Sequence, residues 1–328
     1  MIVITGGAGF IGSNLAAALD ERGERDLVVC DRLGSDEKWR NLAKRELAAI
    51  VPPEGLMAFL AAHAHAIETV FHMAAVSSTT ERDADLVIAS NFTLSLDLWR
   101  WCTATETRFI YASSAATYGD GSAGFDDDFR PEALARLRPL NAYGWSKHLF
   151  DRRIARLAAS GAATPPQWAG LKFFNVFGPN EYHKGAMKSV AAQIFPRAAA
   201  GEPCRLFRSH RPGIADGGQQ RDFVYVRDGV AMMLWLFDHP KVSGLFNAGT
   251  GAARSFAELA AAVYRAVGSE PRIEYVDTPP EIRGSYQYLT EARMERLRRV
   301  GYDRPATPLE DGVRDYVQSY LAADNPYR

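Results

Sequence analysis

MIVITGGAGFIGSN, residues Met1 to Asn14, is the stretch from which the rest of the chain is read. Met1 to Thr5 is apolar and β-branched, the composition of a strand buried in a parallel sheet. Gly6, Gly7, Ala8, Gly9 and Gly12 follow, while Ile11, Leu15, Ala16 and Leu19 recur at helical spacing. The order is strand, glycine turn, helix. The glycines fit both Gly7-x-Gly9-x-x-Gly12 and Gly6-x-x-Gly9-x-x-Gly12. Such positions serve a tight turn, close backbone approach to a pyrophosphate, and close packing of helix on strand. Free N–H groups and the dipole at the helix start then favour phosphate. A glycine pattern alone is weak evidence, and the flanking strand and helix are what give it meaning.

Working outward, Asp26 to Asp31 (DLVVCD) reads as a second strand ending in an acid, where a dinucleotide ribose is met. Arg32 and Lys38 follow and bring positive charge to the same place. Strands are expected at Glu68 to Ala75, Arg108 to Ser114 and Gly170 to Asn175, with helices at Asp85 to Ala104 and Asn141 to Ser160. This alternation predicts an α/β fold with a Rossmann-type, doubly wound parallel sheet. Ligands of such sheets lie beyond the C-terminal strand ends, which places Ser113, Ser114 and Asn175 beside one. Past Gly178 the expected pattern is a polar loop Pro179 to Gly185, a helix Ala186 to Ala200 and a Gly- and charge-rich loop Arg208 to Gln220. A strand Arg221 to Val226, a helix Asp228 to Phe237, a returning strand Leu245 to Ala248 and helices Ser255 to Val267 and Leu309 to Leu321 complete it. The expected organisation is an NADP-binding Rossmann domain over residues 1–175, with a returning segment near 225–250. A smaller C-terminal α/β substrate domain follows over residues 176–328.

Composition narrows the function classes. With 328 residues, 47% hydrophobic and 23% charged, the chain is of ordinary globular type. A net charge of -1 without a basic run argues against a nucleic-acid partner and a polybasic membrane patch. No apolar run reaches the ~18 residues of a membrane-spanning helix. The first strand starts at Met1, so no leader peptide is expected and the expected compartment is the cytoplasm. Cys30, Cys102 and Cys204 show no metal-ligand or disulfide spacing and read as reduced, buried thiols; no metal is expected.

The chemistry sits in Tyr143-Gly-Trp-Ser-Lys147, whose i, i+4 spacing puts phenol and ammonium on one helix face. A free phenol, with a pKa of about 10, is a poor base near neutrality. A neighbouring ammonium favours the phenolate and lowers that value. Ser114, at a strand end, offers a hydroxyl to the oxygen that becomes a carbonyl. His72, at another strand end, reads as structural. His183 reads evenly as structural or functional. Trp99, Trp101 and Trp235 read as core or subunit contact. Arg221 precedes a strand that faces the cleft, and its fork suits a diphosphate.

Together TGGAGFIG, YASSAATYG, YGWSK and RDFVYVRD resemble the extended short-chain dehydrogenase/reductase family, most of whose members act on nucleotide-activated sugars. SSTTE at Ser77 to Glu81, FNVFGPNEYHKGAMKSV at Phe174 to Val190 and GYDRP near the C-terminus resemble its branch that epimerises an ADP-linked heptose at C6, a lipopolysaccharide core precursor. The resemblance implies tightly held NADP, with NAD the other possibility, an ADP-heptose substrate, and a homo-oligomer, often a pentamer. It places Gly6, Gly9, Phe10, Ile11 and Gly12 at the pyrophosphate turn and Asp31, Arg32 and Lys38 at the adenosine ribose. Ala74, Ala75, Val76, Ser77, Asn91 and Val176 fall at the nicotinamide half, with Tyr143 and Lys147. Ser114, Tyr143 and Lys147 match the catalytic set, with Lys184 as second base. Ser77, Ser114, Asn175, Lys184, Phe207, Arg208, Ser209, His210, Arg221 and Tyr286 match substrate contacts. The alternative is another nucleotide-sugar epimerase or a dehydratase of the same fold. Ala115 and Ala116 stand where a dehydratase carries an acidic pair. A non-catalytic cofactor sensor predicts a broken Tyr-x-x-x-Lys, which this chain has intact. Departures from the branch are HMAAV at the 72–76 turn, Ala186 in place of a serine, and a longer 208–220 loop.

Overall fold

The structure is a computed structural model that describes residues 1–283 and 286–328. Seven parallel strands form the main sheet: β1 (Ile2–Thr5), β2 (Leu27–Cys30), β3 (Ala49–Val51), β4 (Thr69–His72), β5 (Arg108–Ser114), β6 (Trp168–Phe173) and β7 (Gly244–Ala248). Their order is β7-β6-β5-β4-β1-β2-β3. The chain leaves β1 towards β2 and β3, then returns to the other side at β4, so a crevice opens at the C-terminal ends of β1 and β4. Val3, Ile4, Val28, Phe71, Phe109, Ile110 and Leu171 are buried, as expected where helices cover both faces.

The turn after β1 is set by Gly6, at φ +67°, where a Cβ would come 2.6 Å from the Ala74 nitrogen. Only glycine takes this conformation with the two strand-end turns so close. Helix Phe10–Glu21 starts at once behind it.

A second apolar core, with Phe177, Leu206, Tyr225, Leu259, Val263, Val313 and Tyr316, lies among helices Val190–Ala199, Phe256–Ala266 and Leu309–Tyr316. Three small sheets accompany it, including a parallel pair Cys204–Phe207 and Ile273–Val276.

Several elements differ from expectation. β3, a 3-10 turn Glu37–Asn41 and a helix Leu56–Ala62 occupy a stretch without clear periodicity. The helix expected over 85–104 is broken by a π turn, Ala89–Thr93. The strand expected over 170–175 ends at Phe173, and Asn175–Phe177 pairs instead with Phe223–Tyr225. The helix expected from Ala186 starts at Val190, because the Ser189 side chain caps it by accepting from the Ala192 N–H. Residues before it form the 3-10 turn Tyr182–Met187.

Candidate active site

A groove of about 740 Å³ runs along the C-terminal ends of β1, β4 and β5. At one end lies the glycine turn. Gly9 caps helix Phe10–Glu21 without a side-chain bond, so the N–H groups of its first turn are left for a ligand beside Gly9, Phe10, Ile11 and Gly12, which line the groove. Asp31 ends β2. Its Oδ2 accepts from the Ala8 N–H at 2.9 Å, and its Oδ1 accepts from Lys38 Nζ at 2.7 Å. Lys38 reaches it from the 3-10 turn Glu37–Asn41, which Asp36 caps. Arg32 points outward and pairs with Glu54. Pro53 and Leu56 add an apolar wall here; the sequence signal for them is too short to read. An uncapped helix start, a turn with no room for side chains and an acid at the ribose position fit a dinucleotide.

At the other end, β5 delivers Ser114, whose Oγ accepts from the Ala116 N–H at 3.1 Å and caps the following turn. Helix Ala142–Ala159 starts at Asn141, whose side chain accepts from the Gly144 N–H at 2.8 Å. A Cβ on Gly144 would lie 2.7 Å from the Ala116 carbonyl, so the helix sits flush on the Ser114 turn. That contact brings Tyr143 and Lys147 to the groove. Lys147 Nζ donates to the Ala112 carbonyl at 2.8 Å. Burial pulls the Lys147 ammonium down to about 8, against the carboxylate of Asp151. Burial also raises the Tyr143 phenol, with hydrogen bonding to Ser114 pulling the other way.

Ala74 to Ser77 form the floor between the two ends. Asn91 lies behind them, fully buried, and does not reach the groove among its lining residues. Its Oδ1 accepts from the Val76 N–H at 2.8 Å and its Nδ2 donates to the Val76 carbonyl at 3.0 Å, so it holds the floor from beneath. The π turn gives it this aim. His72 is fully buried between Thr5 and Ser95. The Ser95 hydroxyl donates to the Asn91 carbonyl, so it accepts from His72 Nε2–H, and Nδ1 accepts from Thr5. Burial then takes the imidazole down to about 3, a neutral structural role.

Lys184 also lines the groove. Its Nζ lies 5.4 Å from the Phe10 ring centroid. Burial lowers its pKa, and Glu181 opposes that. His183, beside it, faces Lys38 and sits 3.3 Å from Asn41 Nδ2; burial and the two lysines keep it neutral. Val176 lines the groove, and Asn175 is exposed at the start of its short strand.

The remaining substrate candidates lie outside the groove lining. Arg221 is buried, 5.5 Å from the Phe256 ring centroid and 5.5 Å from that of Tyr286. Phe207 packs edge-on to Tyr286 at 6.1 Å. Among the described residues, no carboxylate pairs with Arg221, which leaves its fork available to an anion. Arg208, Ser209 and His210 sit on the 208–220 loop, where Ser209 N–H donates to Asp216 and His210 N–H to Tyr288. Among the described residues, no cluster could hold a metal ion and no helix is long and apolar enough to cross a membrane.

The sequence model of the NAD dependent epimerase/dehydratase family matches residues 2–249. ADP-L-glycero-D-manno-heptose-6-epimerase of Nitratidesulfovibrio vulgaris (strain DP4) is 49% identical over the full length of both chains. The protein of that name in Fusobacterium nucleatum is 43% identical, again with both chains covered in full. Among solved structures, Helicobacter pylori ADP-L-glycero-D-manno-heptose-6-epimerase is similar with a TM-score of 0.80 at 30% identity, covering 98% of this chain and 96% of that one. Thermus thermophilus UDP-glucose 4-epimerase, solved with NAD, has a TM-score of 0.74 at 26% identity, covering 98% of this chain and 99% of that one. With the strand–glycine turn–helix and the Tyr143–Lys147 face already in view, the chain belongs to the NAD dependent epimerase/dehydratase family and, within it, to the ADP-L-glycero-D-manno-heptose-6-epimerases.

Proposed function

We propose that this chain inverts C6 of an ADP-linked heptose with a tightly held dinucleotide. The observation that carries this reading is the pair of acid–base candidates, Tyr143 and Lys184, on one groove that also holds the glycine turn. The dinucleotide supplies the hydride acceptor and donor. Tyr143, beside Lys147 and Ser114, takes and returns the proton of the carbinol oxygen. Inversion requires the intermediate to present its other face, which moves that oxygen across the pocket. A second group within ~3 Å of the new position must then serve it, and Lys184, which lines the same groove as Tyr143, is our candidate for that role. Arg221, with Phe207 and Tyr286 beside it, would hold the ADP portion. The cytoplasm is the expected compartment, and a homo-oligomer is the expected form, with exposed Leu140 and Trp145 available to a second copy.

For the cofactor, NADP is preferred to NAD. Asp31 would repel a 2′-phosphate, yet Lys38 already neutralises it, and Arg32, in an exposed pair with Glu54, can exchange that partner for the phosphate. Mass analysis of the dinucleotide released from purified protein checks this; mostly NAD, or unchanged NADP retention in Lys38→Ala, contradicts it. Purified protein incubated with ADP-D-glycero-D-manno-heptose, without added cofactor, should convert it to the L-glycero epimer by NMR. Loaded protein that leaves C6 unchanged refutes the function.

A further inference from the structure

Behind the groove lies a buried charge pair that the proposed chemistry does not use. Asp151 follows Lys147 by one helical turn and is fully buried. Its Oδ1 accepts from the Tyr111 hydroxyl at 3.0 Å, and its Oδ2 accepts from Ser113 Oγ at 2.6 Å. Lys172, within β6 and equally buried, places Nζ 3.0 Å from the same Oδ2. Its Nζ also donates to Thr117 Oγ1 at 2.6 Å and lies 4.7 Å from the Tyr118 ring centroid. Thr117 in turn donates to the Ser114 carbonyl at 2.8 Å. Four segments therefore meet at one ion pair: β5, the turn after it, β6 and the helix of Tyr143 and Lys147.

Stability is a poor reason for such a pair, because desolvation consumes much of the attraction and apolar replacements of like volume are often no worse. Its place is more telling. Ser113 neighbours Ser114. The Ala112 carbonyl that receives Lys147 sits between the two β5 residues that donate to Asp151. We propose that Asp151 and Lys172 are positioning residues of this site, locking the Tyr143–Lys147 helix onto the Ser114 strand end and supplying the counter-charge that keeps Lys147 an ammonium. The proposal rests on the epimerase reading above.

The groups around Lys147 leave Asp151 as the source of that charge. On its own helix are Tyr143 and Asp151. From β4 comes His72, neutral. From β5 comes Tyr111, held protonated by burial and by Asp151 itself. From β6 comes Lys172, which is paired with Asp151. Loss of the carboxylate charge therefore favours neutral Lys147 and moves the alkaline fall of kcat to lower pH.

The test uses Asp151→Asn, the neutral pair Asp151→Asn/Lys172→Met, Lys172→Arg and Tyr111→Phe, each with its bound dinucleotide. Thermal midpoint and dinucleotide content are measured first, then kcat and KM for ADP-D-glycero-D-manno-heptose against pH. Asp151→Asn and the neutral pair should keep the dinucleotide, lose about 10-fold or more in kcat at pH 8 and change KM by less than about 3-fold. Their alkaline limb should fall at least about half a pH unit below that of the wild type. Lys172→Arg, which keeps the charge, should retain the wild-type profile. Tyr111→Phe should lower the thermal midpoint and leave the limb in place. Where Asp151→Asn alone does not fold, the neutral pair is read. A folded neutral pair with wild-type kcat and an unmoved limb overturns the proposal, as does Tyr111→Phe moving the limb as far as Asp151→Asn. An inactive wild type overturns the epimerase reading and this proposal together, whereas an active wild type with indifferent variants overturns this one alone.

Discussion

Lys184 and His72 show how one physical term, burial, produces opposite uses for a basic side chain. Lys184 is partly buried at the groove, with Glu181 opposing the loss of its charge, so its ammonium is loosened without being abolished. A lysine in that state gives up its proton more readily than a solvated one. Lys184→Met should therefore lower kcat by about 100-fold or more, with dinucleotide and ADP-sugar still bound. A lysine that only grips a phosphate would instead raise KM at near-normal kcat, and steady-state kinetics separate the two. His72 is sealed off, and its folded value of about 3 lies well below the usual histidine value. The fold excludes a proton that the unfolded chain takes up below about pH 6.5, so stability is full above that pH and falls as pH drops towards 3. Each such histidine contributes a slope approaching about 1.4 kcal/mol per pH unit in that window. His148, held neutral down to about 4 chiefly by burial, adds a second. Urea unfolding of His72→Asn at pH 7 and pH 5 should show a smaller loss on acidification than the wild type, even though the variant starts less stable. Equal losses would mean that His72 is not the proton-linked group.

At the scale of elements, the site depends on how helix Ala142–Ala159 seats on the turn after β5. Gly144 is the contact. Gly144→Ala forces a Cβ against the Ala116 carbonyl, so either the helix or the Ser114 turn must shift. The expected result is a loss of kcat of about 100-fold, since displacements near 1 Å at a reacting centre cost that much, with dinucleotide content preserved by the distant glycine turn. Wild-type kcat in the variant would show that the helix seats elsewhere. β1 and the capped helix Phe256–Ala266 were legible because each carries a local signal: a β-branched run entering a glycine turn, and a Ser cap ahead of a helical apolar stripe. β3 was not, since three residues, one of them exposed, carry no period. The π turn at Ala89–Thr93 was hidden for another reason. It inserts into an unbroken helical pattern, and its purpose, aiming Asn91 at Val76, is a contact across fifteen residues of chain. Asp151 and Lys172 left only a faint trace, a lysine within the otherwise apolar GLKFF strand, and their pairing is tertiary.

On the scale of the whole molecule, the groove lies where two apolar cores meet, and Lys184 belongs to the chain that crosses between them. After β6 that chain passes through Pro179 and Asn180 against the first helix: Asn14 Nδ2 donates to the Pro179 carbonyl at 2.9 Å, and Asn180 Nδ2 donates to Ser13 Oγ at 3.0 Å. Asn41 Nδ2 donates to the Asn180 carbonyl at 3.1 Å and to the Ala8 carbonyl at 2.8 Å, tying the crossing to the glycine turn. Asn180 Oδ1 accepts the Arg328 N–H at 3.0 Å, which brings in the C-terminal segment. On the other side, fully buried Glu181 accepts from Tyr316 and Ser189, elements of the second core. At Asn180 and Glu181, four and three residues before Lys184, the chain is thus fastened to both halves. Asn180 itself stands at φ +72°, a left-handed conformation that glycine adopts without strain. Asn180→Gly therefore keeps the turn and removes only the two side-chain bonds to Ser13 and Arg328. The expected cost is about 1–3 kcal/mol of stability, the range for leaving buried partners unpaired. Because the proposed second base rides on this crossing, kcat should also fall by about 10-fold while dinucleotide content stays at the wild-type level. Asn180→Ala should be the less stable of the two, having lost the same bonds and kept the backbone strain. Should Asn180→Gly lose stability yet turn over ADP-heptose at the wild-type rate, the crossing would hold the halves together without holding Lys184, and the base would have to be positioned by the 3-10 turn Tyr182–Met187 alone.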